Sequence, residues 1–306
     1  MVDISIVIVN YNVKQLLLQC LKSIHSKENE QLTIETIVID NDSKDGSIAA
    51  VKDEFPNVIL IENKFNAGFS GANNQGMSIA KGKFILLLNP DTEIIGDALP
   101  ELVNYIQQNS CMVVAPQLLN SDGSIQASAW KNHTVLNLII ETFFLNKLFD
   151  TINYPIEQLR TTFEAKALSG AALFFKKELI DRIGMLDKQF FWMEDIDFCY
   201  RARQYGSLAY LHSAQIIHHS GQSQKKNYNI SISNQLLSKL KYYKKHTTVF
   251  KARLAIISCF IFIVSRITIF TILSPLKELW AKKAQAYRYT FKRFFNYLVY
   301  TDTSII

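Results

Sequence analysis

The chain has 306 residues, 48% hydrophobic and 20% charged, which supplies a sizeable core and excludes global disorder. Six prolines and eleven glycines exclude a collagen-like or low-complexity chain, and four scattered cysteines without a CxxC pair exclude a disulfide framework and a Cys-based zinc site and fit a reducing compartment. The formal charge of +6 divides unevenly: residues 231–306 carry thirteen Lys/Arg against two acids, net +11, and residues 1–230 carry twenty against twenty-five, net −5, so the basic pI does not signal a nucleic-acid partner.

The chain opens with an acidic residue, Asp3, and the short apolar run Ile4–Val9, which is the pattern of a buried strand and not of a secretory signal. The bulk of the protein is therefore expected in the cytoplasm. Val13–His25 has helical spacing through Leu17, Cys20, Leu21 and Ile24. Thr33–Ile39 is a second strand, a helix opens at Asp45-Gly46-Ser47 and runs to Phe55, and Val58–Ile61 is a third strand. Asn73–Ala80 is predicted helical, and Phe84–Leu88 is a fourth strand running into Asn89-Pro90-Asp91. Strands alternating with helices imply right-handed crossovers and a mostly parallel α/β sheet flanked by helices. In such sheets a ligand sits beyond the carboxyl ends of the strands. Polar clusters fall there four times, at Asn10–Asn12, Asp40–Ser43, Asn63–Asn66 and Asn89–Asp91. The Gly-rich dinucleotide fingerprint and the P-loop are both missing, so phosphates would need a metal or side chains.

Three places carry candidate chemistry. Asp91, at the end of an apolar strand, suits Mg²⁺ or Mn²⁺ shared with substrate phosphates; the plain alternative is a turn aspartate. Glu194, Asp195 and Asp197 lie among Phe190, Phe191, Trp192 and Phe198. Apolar neighbours raise a carboxyl pKa and suit it to general-base work, and acids also favour a first helical turn. His218 and His219 follow Ile216-Ile217, a short apolar pair at a strand end, where a neutral ring nitrogen can bind a metal or simply make a hydrogen bond. HExxH and Gly-x-Ser-x-Gly are absent.

Taken in order, Ile8–Asn12, Val38–Ser47, Asn66–Phe69 with Asn74 and Gly76, Leu88–Thr92, Ser169–Ala171, Phe190–Arg201 and His218–Ser223 resemble family 2 glycosyltransferases of the GT-A fold, especially the rhamnosyltransferase-like branch. The resemblance covers roughly residues 3–225. It implies that Val9, Asn10, Tyr11, Asp40, Asn66, Gly68, Asn74, Asn89, Gly170 and Ala171 bind a nucleoside-diphosphate sugar, with Gly170 and Ala171 leaving room near sugar and acceptor. It implies a divalent metal, Mg or Mn, at Asp91 and His218, with His219 as the fallback. Asp91 takes the last acid position of the family's DxD motif, and Asn89 replaces the first. Asp195 matches the catalytic base, Glu194 stands beside it in the Glu-Asp motif, and Arg201 pairs with one of the neighbouring acids. The implied reaction is an inverting transfer of a sugar, rhamnose among the candidates, to a lipid-linked or cell-surface glycan precursor. The alternative of a different class is a membrane-docked sugar-nucleotide binding protein without turnover.

The domains expected are 1–230, the GT-A body, and 231–306, a basic helical tail. Residues 226–251 have helical spacing at Leu236, Leu237 and Leu240. Leu254–Ser265 and Ile267–Leu276 reach membrane-spanning length only with Arg266 in the middle, at roughly 2.5–3.5 kcal/mol. Both flanks are basic, where orientation rules prefer one. The favoured expectation is a helix lying in the interface of an anionic membrane, peripheral on the inner face of the cell membrane; a core or oligomer helix and a true span are the alternatives. An oligomer is left open.

Overall fold

The computed structural model describes residues 2–25, 32–219 and 228–301. Residues 220–223 of the His218–Ser223 stretch, and 226–227 of the tail's first helical reading, lie outside the described residues. Two compact units emerge, one formed by residues 1–131, 153–188 and 194–223, the other by 132–152, 189–193 and 224–306.

In the first unit the chain alternates as the hydrophobic runs require: β1 (Ile4–Asn10), α1 (Lys14–His25), β2 (Ile34–Asp40), α2 (Ser47–Glu54), β3 (Ile59–Glu62), α3 (Gly68–Ile79) and β4 (Phe84–Leu88). Then come β5 (Thr92–Ile95), α4 (Ala98–Gln108), β6 (Cys111–Leu119), β7 (Ile125–Gln126) and β8 (Ala129–Trp130). In the second unit α5 (Val135–Thr142) follows; the first unit resumes with β9 (Phe163–Ala165), β10 (Ala167–Leu168), β11 (Ala172–Lys176), α6 (Glu178–Ile183), α7 (Glu194–Ala202) and β12 (Ser207–His218). The path of the main sheet is β3-β2-β1-β4-β11-β6-β12-β5, with β7 on β6 and β9 on β12. Its first four strands are parallel, β11 runs antiparallel between β4 and β6, and β12 returns parallel to β6.

β4 is apolar at all five positions and buried throughout, the signature of a strand covered on both faces. α3 lies so close to β1 and β2 that a Cβ on Gly76 would sit 2.4 Å from Val7 Cγ1 and 2.7 Å from Ile39 Cδ1, which only glycine permits. The helix begins at Gly68, five residues before its expected start. Its first turns, rich in Gly and Asn, have poor intrinsic propensity, but Asn41 Oδ1 accepts the Ala67 N–H at 3.3 Å and Asn66 Oδ1 accepts that of Gly68 at 2.9 Å. β12 runs twelve residues where the sequence displays only an apolar pair. A register irregularity between Leu211 and Gln215 interrupts its alternation and exposes His212 and Ser213.

The second unit is helical. Besides α5 it contains α8 (Tyr228–His246), α9 (Val249–Leu273) and α10 (Glu278–Thr301), with α9 packed on α5, α8 and α10. Arg266 does not face outward from α9. It is buried, its Nη1 donates to Thr142 O at 2.6 Å and its Nη2 to Glu141 O at 2.7 Å, so it satisfies carbonyls at the end of α5. Its guanidinium lies 3.6 Å from the ring centre of Phe144 and 3.9 Å from that of Phe262.

Candidate functional site

The strand ends of the first unit carry three polar assemblies. At the ends of β1 and β2, Asp40 is buried and accepts Asn10 Nδ2 at 2.7 Å and the Ser43 N–H at 2.8 Å. Ser43 Oγ in turn accepts Asn10 Nδ2 at 3.1 Å and the Asn12 N–H at 2.9 Å, and Asn12 Oδ1 accepts the Lys44 N–H at 2.7 Å. Asn12 and Asp42 hold positive φ, 54° and 68°, a conformation Asn and Asp tolerate better than other side chains. Asn10 Oδ1 is buried without a hydrogen-bond partner, and Tyr11 is exposed beside it in sequence. Val9 is half-buried opposite Ile39. Asn41 and Gln75 bond Asn63 and so tie the β2 and β3 ends to α3. Asn66 is exposed, and Gly68 opens α3 at φ 74°. Both ends of the Asn74 amide are taken by the backbone of Leu186, at 2.8 and 3.1 Å, so this side chain fastens the segment after α6.

The second assembly follows β4. Thr92 on β5 lies opposite His218 on β12, and this pairing brings His218 Nε2 to 3.3 Å from Asp91 Oδ1. Each of these side chains keeps 12% exposure. Asn89 Nδ2 also approaches His218 Nε2, at 3.4 Å. The other ring nitrogen, Nδ1, is 2.7 Å from Gln126 Oε1. Gln126 Nε2 donates to Asn120 Oδ1 at 2.9 Å, which fixes the amide with its oxygen toward the histidine. With Nδ1 donating to Gln126 Oε1, the other tautomeric nitrogen, Nε2, is the one that faces Asp91 and could offer a lone pair to a cation. Two electron-rich atoms facing one another at 3.3 Å suit a shared cation, and a carboxylate with a neutral imidazole is a fitting pair of donors for a divalent ion completed by phosphate oxygens. No cluster of three or more His, Cys, Asp or Glu able to hold a metal exists among the described residues. His219 is committed elsewhere: its Nε2 meets Glu93 at 2.6 Å and its Nδ1 meets Ser121 Oγ at 2.7 Å.

The third assembly is the acidic turn that starts α7. Asp195 Oδ2 accepts the Gly170 N–H at 2.9 Å, and a Cβ on Gly170 would come within 3.2 Å of the Asp195 Cβ. The small residue there makes room for the carboxylate. Ala171 O in turn accepts the Asn89 N–H at 2.9 Å, so backbone contacts link Asp195 through Gly170 and Ala171 to the Asn89–Asp91 corner. Glu194 and Asp195 are half-buried residues, and Glu194 Oε2 is itself buried. Burial, and then the charge of Asp195, push Glu194 up to about 8; burial also raises Asp195, against the opposing effect of the Gly170 and Ile196 N–H groups. Glu194 Oε2 has no hydrogen-bond partner. The third acid serves the scaffold. Asp197 is fully buried and paired with Arg201 Nε at 2.8 Å, and Arg201 also donates to the carbonyls of Ile183 and Met185 after α6. The i,i+4 spacing of Asp197 and Arg201 makes that pair legible in sequence. Gln126, Ser121 and Glu93 carry no such signal; only the register of β5, β7 and β12 brings them to the histidines.

Residues 5–184 match the family profile described as glycosyl transferase family 2. A low-salt glycan biosynthesis hexosyltransferase of Haloferax volcanii is 27% identical over 208 residues, 66% of this chain and 62% of that protein. The chain thus spans about three fifths of the length of that relative, and one fifth of a poly(ribitol-phosphate) beta-glucosyltransferase of Bacillus spizizenii that is 33% identical over 124 residues, 39% of this chain. An N-acetylglucosaminyl-diphospho-decaprenol L-rhamnosyltransferase of Mycobacterium tuberculosis is 24% identical over 209 residues, 62% of this chain and 68% of that protein. Among solved structures, a mannosyltransferase from Pyrobaculum calidifontis in complex with GDP-Man and Mn²⁺ aligns at a TM-score of 0.58 and 14% identity, covering 98% of this chain and 87% of that one, a likeness of fold.

Proposed function

The chain belongs to glycosyl transferase family 2, and from that premise we propose that it moves a hexosyl unit from a nucleoside-diphosphate sugar to a hydroxyl of a lipid-linked or cell-surface glycan precursor, with inversion at the anomeric carbon. The observation that carries this reading is the backbone-linked path from Asp195 through Gly170 and Ala171 to Asn89 and the Asp91–His218 pair. It supports a reading in which Asp195 is the proton acceptor and the Asp91–His218 corner meets the phosphates.

The roles follow from chemistry. The buried Asp40–Asn10–Ser43 network is held rigid before ligand arrives and supports recognition of base and ribose, with the unpartnered Asn10 Oδ1 as a waiting acceptor. Asn89, Gly170 and Ala171 line the way to the sugar. Asp195 takes the proton of the acceptor hydroxyl, and the oxygen so freed attacks the anomeric carbon. The bond from that carbon to the phosphate oxygen breaks, and its electron pair leaves with the nucleoside diphosphate. Glu194, kept protonated by burial, spares Asp195 a second adjacent charge and offers its carboxyl group to an acceptor hydroxyl. A divalent cation, Mg or Mn, bound by Asp91 and His218 would supply the positive charge that a leaving diphosphate needs. One displacement inverts configuration; retention through a glycosyl-enzyme would require a second carboxylate on the opposite side of the sugar. The Mycobacterium tuberculosis relative favours rhamnose among the candidate sugars. A lipid-linked acceptor is met at a membrane surface, which suits the basic tail of +11.

The test is release of nucleoside diphosphate from a panel of donors in the presence of polyprenyl-diphosphate-linked acceptors. Acceptor-dependent release with product of inverted anomeric configuration is expected. Donor binding with no turnover on any acceptor would replace the transferase reading by that of a binding protein.

A further inference from the structure

The second unit leaves an apolar surface that its own helices do not cover. α9 uses one face inward: Ala255, Cys259, Phe262, Ile263 and Arg266 are buried. Its opposite face presents Ile257, Ile261, Val264 and Ile272, spaced as a single stripe along the helix, with Ile257 54% and Ile272 71% exposed. The turn after α5 exposes Leu148 and Phe149 but meets α9 on the inward face, at Arg266. Arg266 holds that turn against α9, through its bonds to Glu141 and Thr142 and its stacking on Phe144, which sits at φ 61°. The one charge in the apolar run is thus spent as an internal brace, and the outer stripe is free of charge between residues 254 and 276.

We infer that this stripe forms a face that lies in the plane of an anionic phospholipid bilayer. The inference rests on the reading of a membrane-held acceptor and names how the chain meets that membrane. Exposed Lys251 and Arg253 stand at one end of the stripe and exposed Lys277 and Lys282 beyond the other. Cations at both ends with apolar side chains between them match a helix parallel to the headgroups, each cation reaching anionic lipid. A second copy of this chain would bring the same positive ends together. α9 is long and apolar enough to span a bilayer. Crossing would draw its packed neighbour α10, with Lys282, Lys283, Arg288 and Lys292, into hydrocarbon.

The experiment floats the full chain with phosphatidylglycerol–phosphatidylcholine vesicles. Ile257→Glu combined with Ile272→Glu is expected to lower vesicle partitioning by about tenfold or more, since each change removes a large apolar side chain from lipid. Both residues are exposed, and an unchanged circular-dichroism melt verifies folding. Nitroxide labels are then placed singly at Ile257→Cys, Ile261→Cys, Val264→Cys and Ile272→Cys; the four native cysteines are buried. Collisional quenching should give one common depth, whereas a spanning helix would spread positions 257 and 272 over about 22 Å at 1.5 Å per residue. Unchanged flotation of the double variant, a spread of depths, or a concentration-dependent dimer abolished by the same substitutions each overturns the inference. Flotation involves neither donor nor acceptor, so its outcome is independent of whether sugar transfer is found.

Discussion

The loops after β1 and β2 and the turn before α7 are both made of short polar and acidic side chains, yet their polar atoms are treated in opposite ways. In the first region Asp40, Ser43 and Asn12 are bonded to one another and to backbone N–H groups. That network is complete without ligand, apart from Asn10 Oδ1. In the second region the two leading acids have few partners. Glu194 Oε2 has none, both carboxyls are raised by burial, and Met193 before them sits at φ 79°, a strained conformation for a side chain of its size. Satisfied polar networks give rigidity. Desolvated carboxyls give basicity. The difference separates a platform for recognition from a centre for proton transfer.

The contrast is broken most sharply at Asp195. Asp195→Asn keeps the shape and removes the base, so turnover should fall by roughly 10²–10⁴ while donor affinity stays at the wild-type value. Product assays beside calorimetric donor titration measure the two. Equal loss of binding and turnover would mean that the acidic turn belongs to the recognition platform.

Next in size is the third acid of the same turn. Arg201→Ala removes the cation paired with buried Asp197 and frees the carbonyls of Ile183 and Met185. Breaking such a buried pair costs about 3–5 kcal/mol, which urea unfolding would register. An undiminished unfolding midpoint would remove the distinction between Asp197 as scaffold and its two neighbours as chemistry.

Smaller again is the effect of Gln126, which touches neither acid. Gln126→Leu frees the His218 ring to change tautomer, and loss of such an orienting contact typically costs about 10–100-fold in metal affinity. Mn²⁺ titration followed by electron paramagnetic resonance reads this directly. Asp91→Ala should cost more than His218→Ala, a charged ligand outweighing a neutral one. Unaltered Mn²⁺ affinity in all three would make the corner a metal-free phosphate site.

The first four strand cores are legible because their apolar runs lead into clusters rich in Asn and Asp, and β4 has the expected extent, Phe84–Leu88; the order of the strands in the sheet is not legible. Asp91, Asp195 and His218 are legible as chemically apt residues at element ends. Their linkage is not, because it runs through β11 and β12, whose pairing depends on contacts between residues more than eighty positions apart. Gly170 appeared in sequence as space for a sugar; the structure sets it first against Asp195. Asn74 appeared as a donor contact, and its amide closes on Leu186. The tail's helices were visible in their spacing, but Arg266 read as a liability in lipid because its partners, Glu141 and Thr142, lie over a hundred residues earlier. Contiguous pattern reveals elements; the partner of a buried polar atom is fixed only by tertiary packing.

A last effect concerns Glu194 and the pH dependence of stability. In the unfolded chain its carboxyl titrates near the ordinary 4.5, and in the folded protein burial and Asp195 push it up to about 8. Between those values the native state holds a proton that the unfolded state has released. Stability therefore falls as pH rises through this window and levels off above it. Asp195 is raised as well, so its contribution has the same sign. Glu194→Gln is neutral at every pH and removes one of the two contributions. Its melting temperature should match that of the wild type at about pH 4.5 and exceed it increasingly toward about pH 8, with a residual slope from Asp195. Thermal unfolding of both proteins across that range measures the difference. Parallel curves would mean that Glu194 is ionised in the folded protein across the window, and the acidic turn would then resemble the Asp40 loop in having its charge fully compensated.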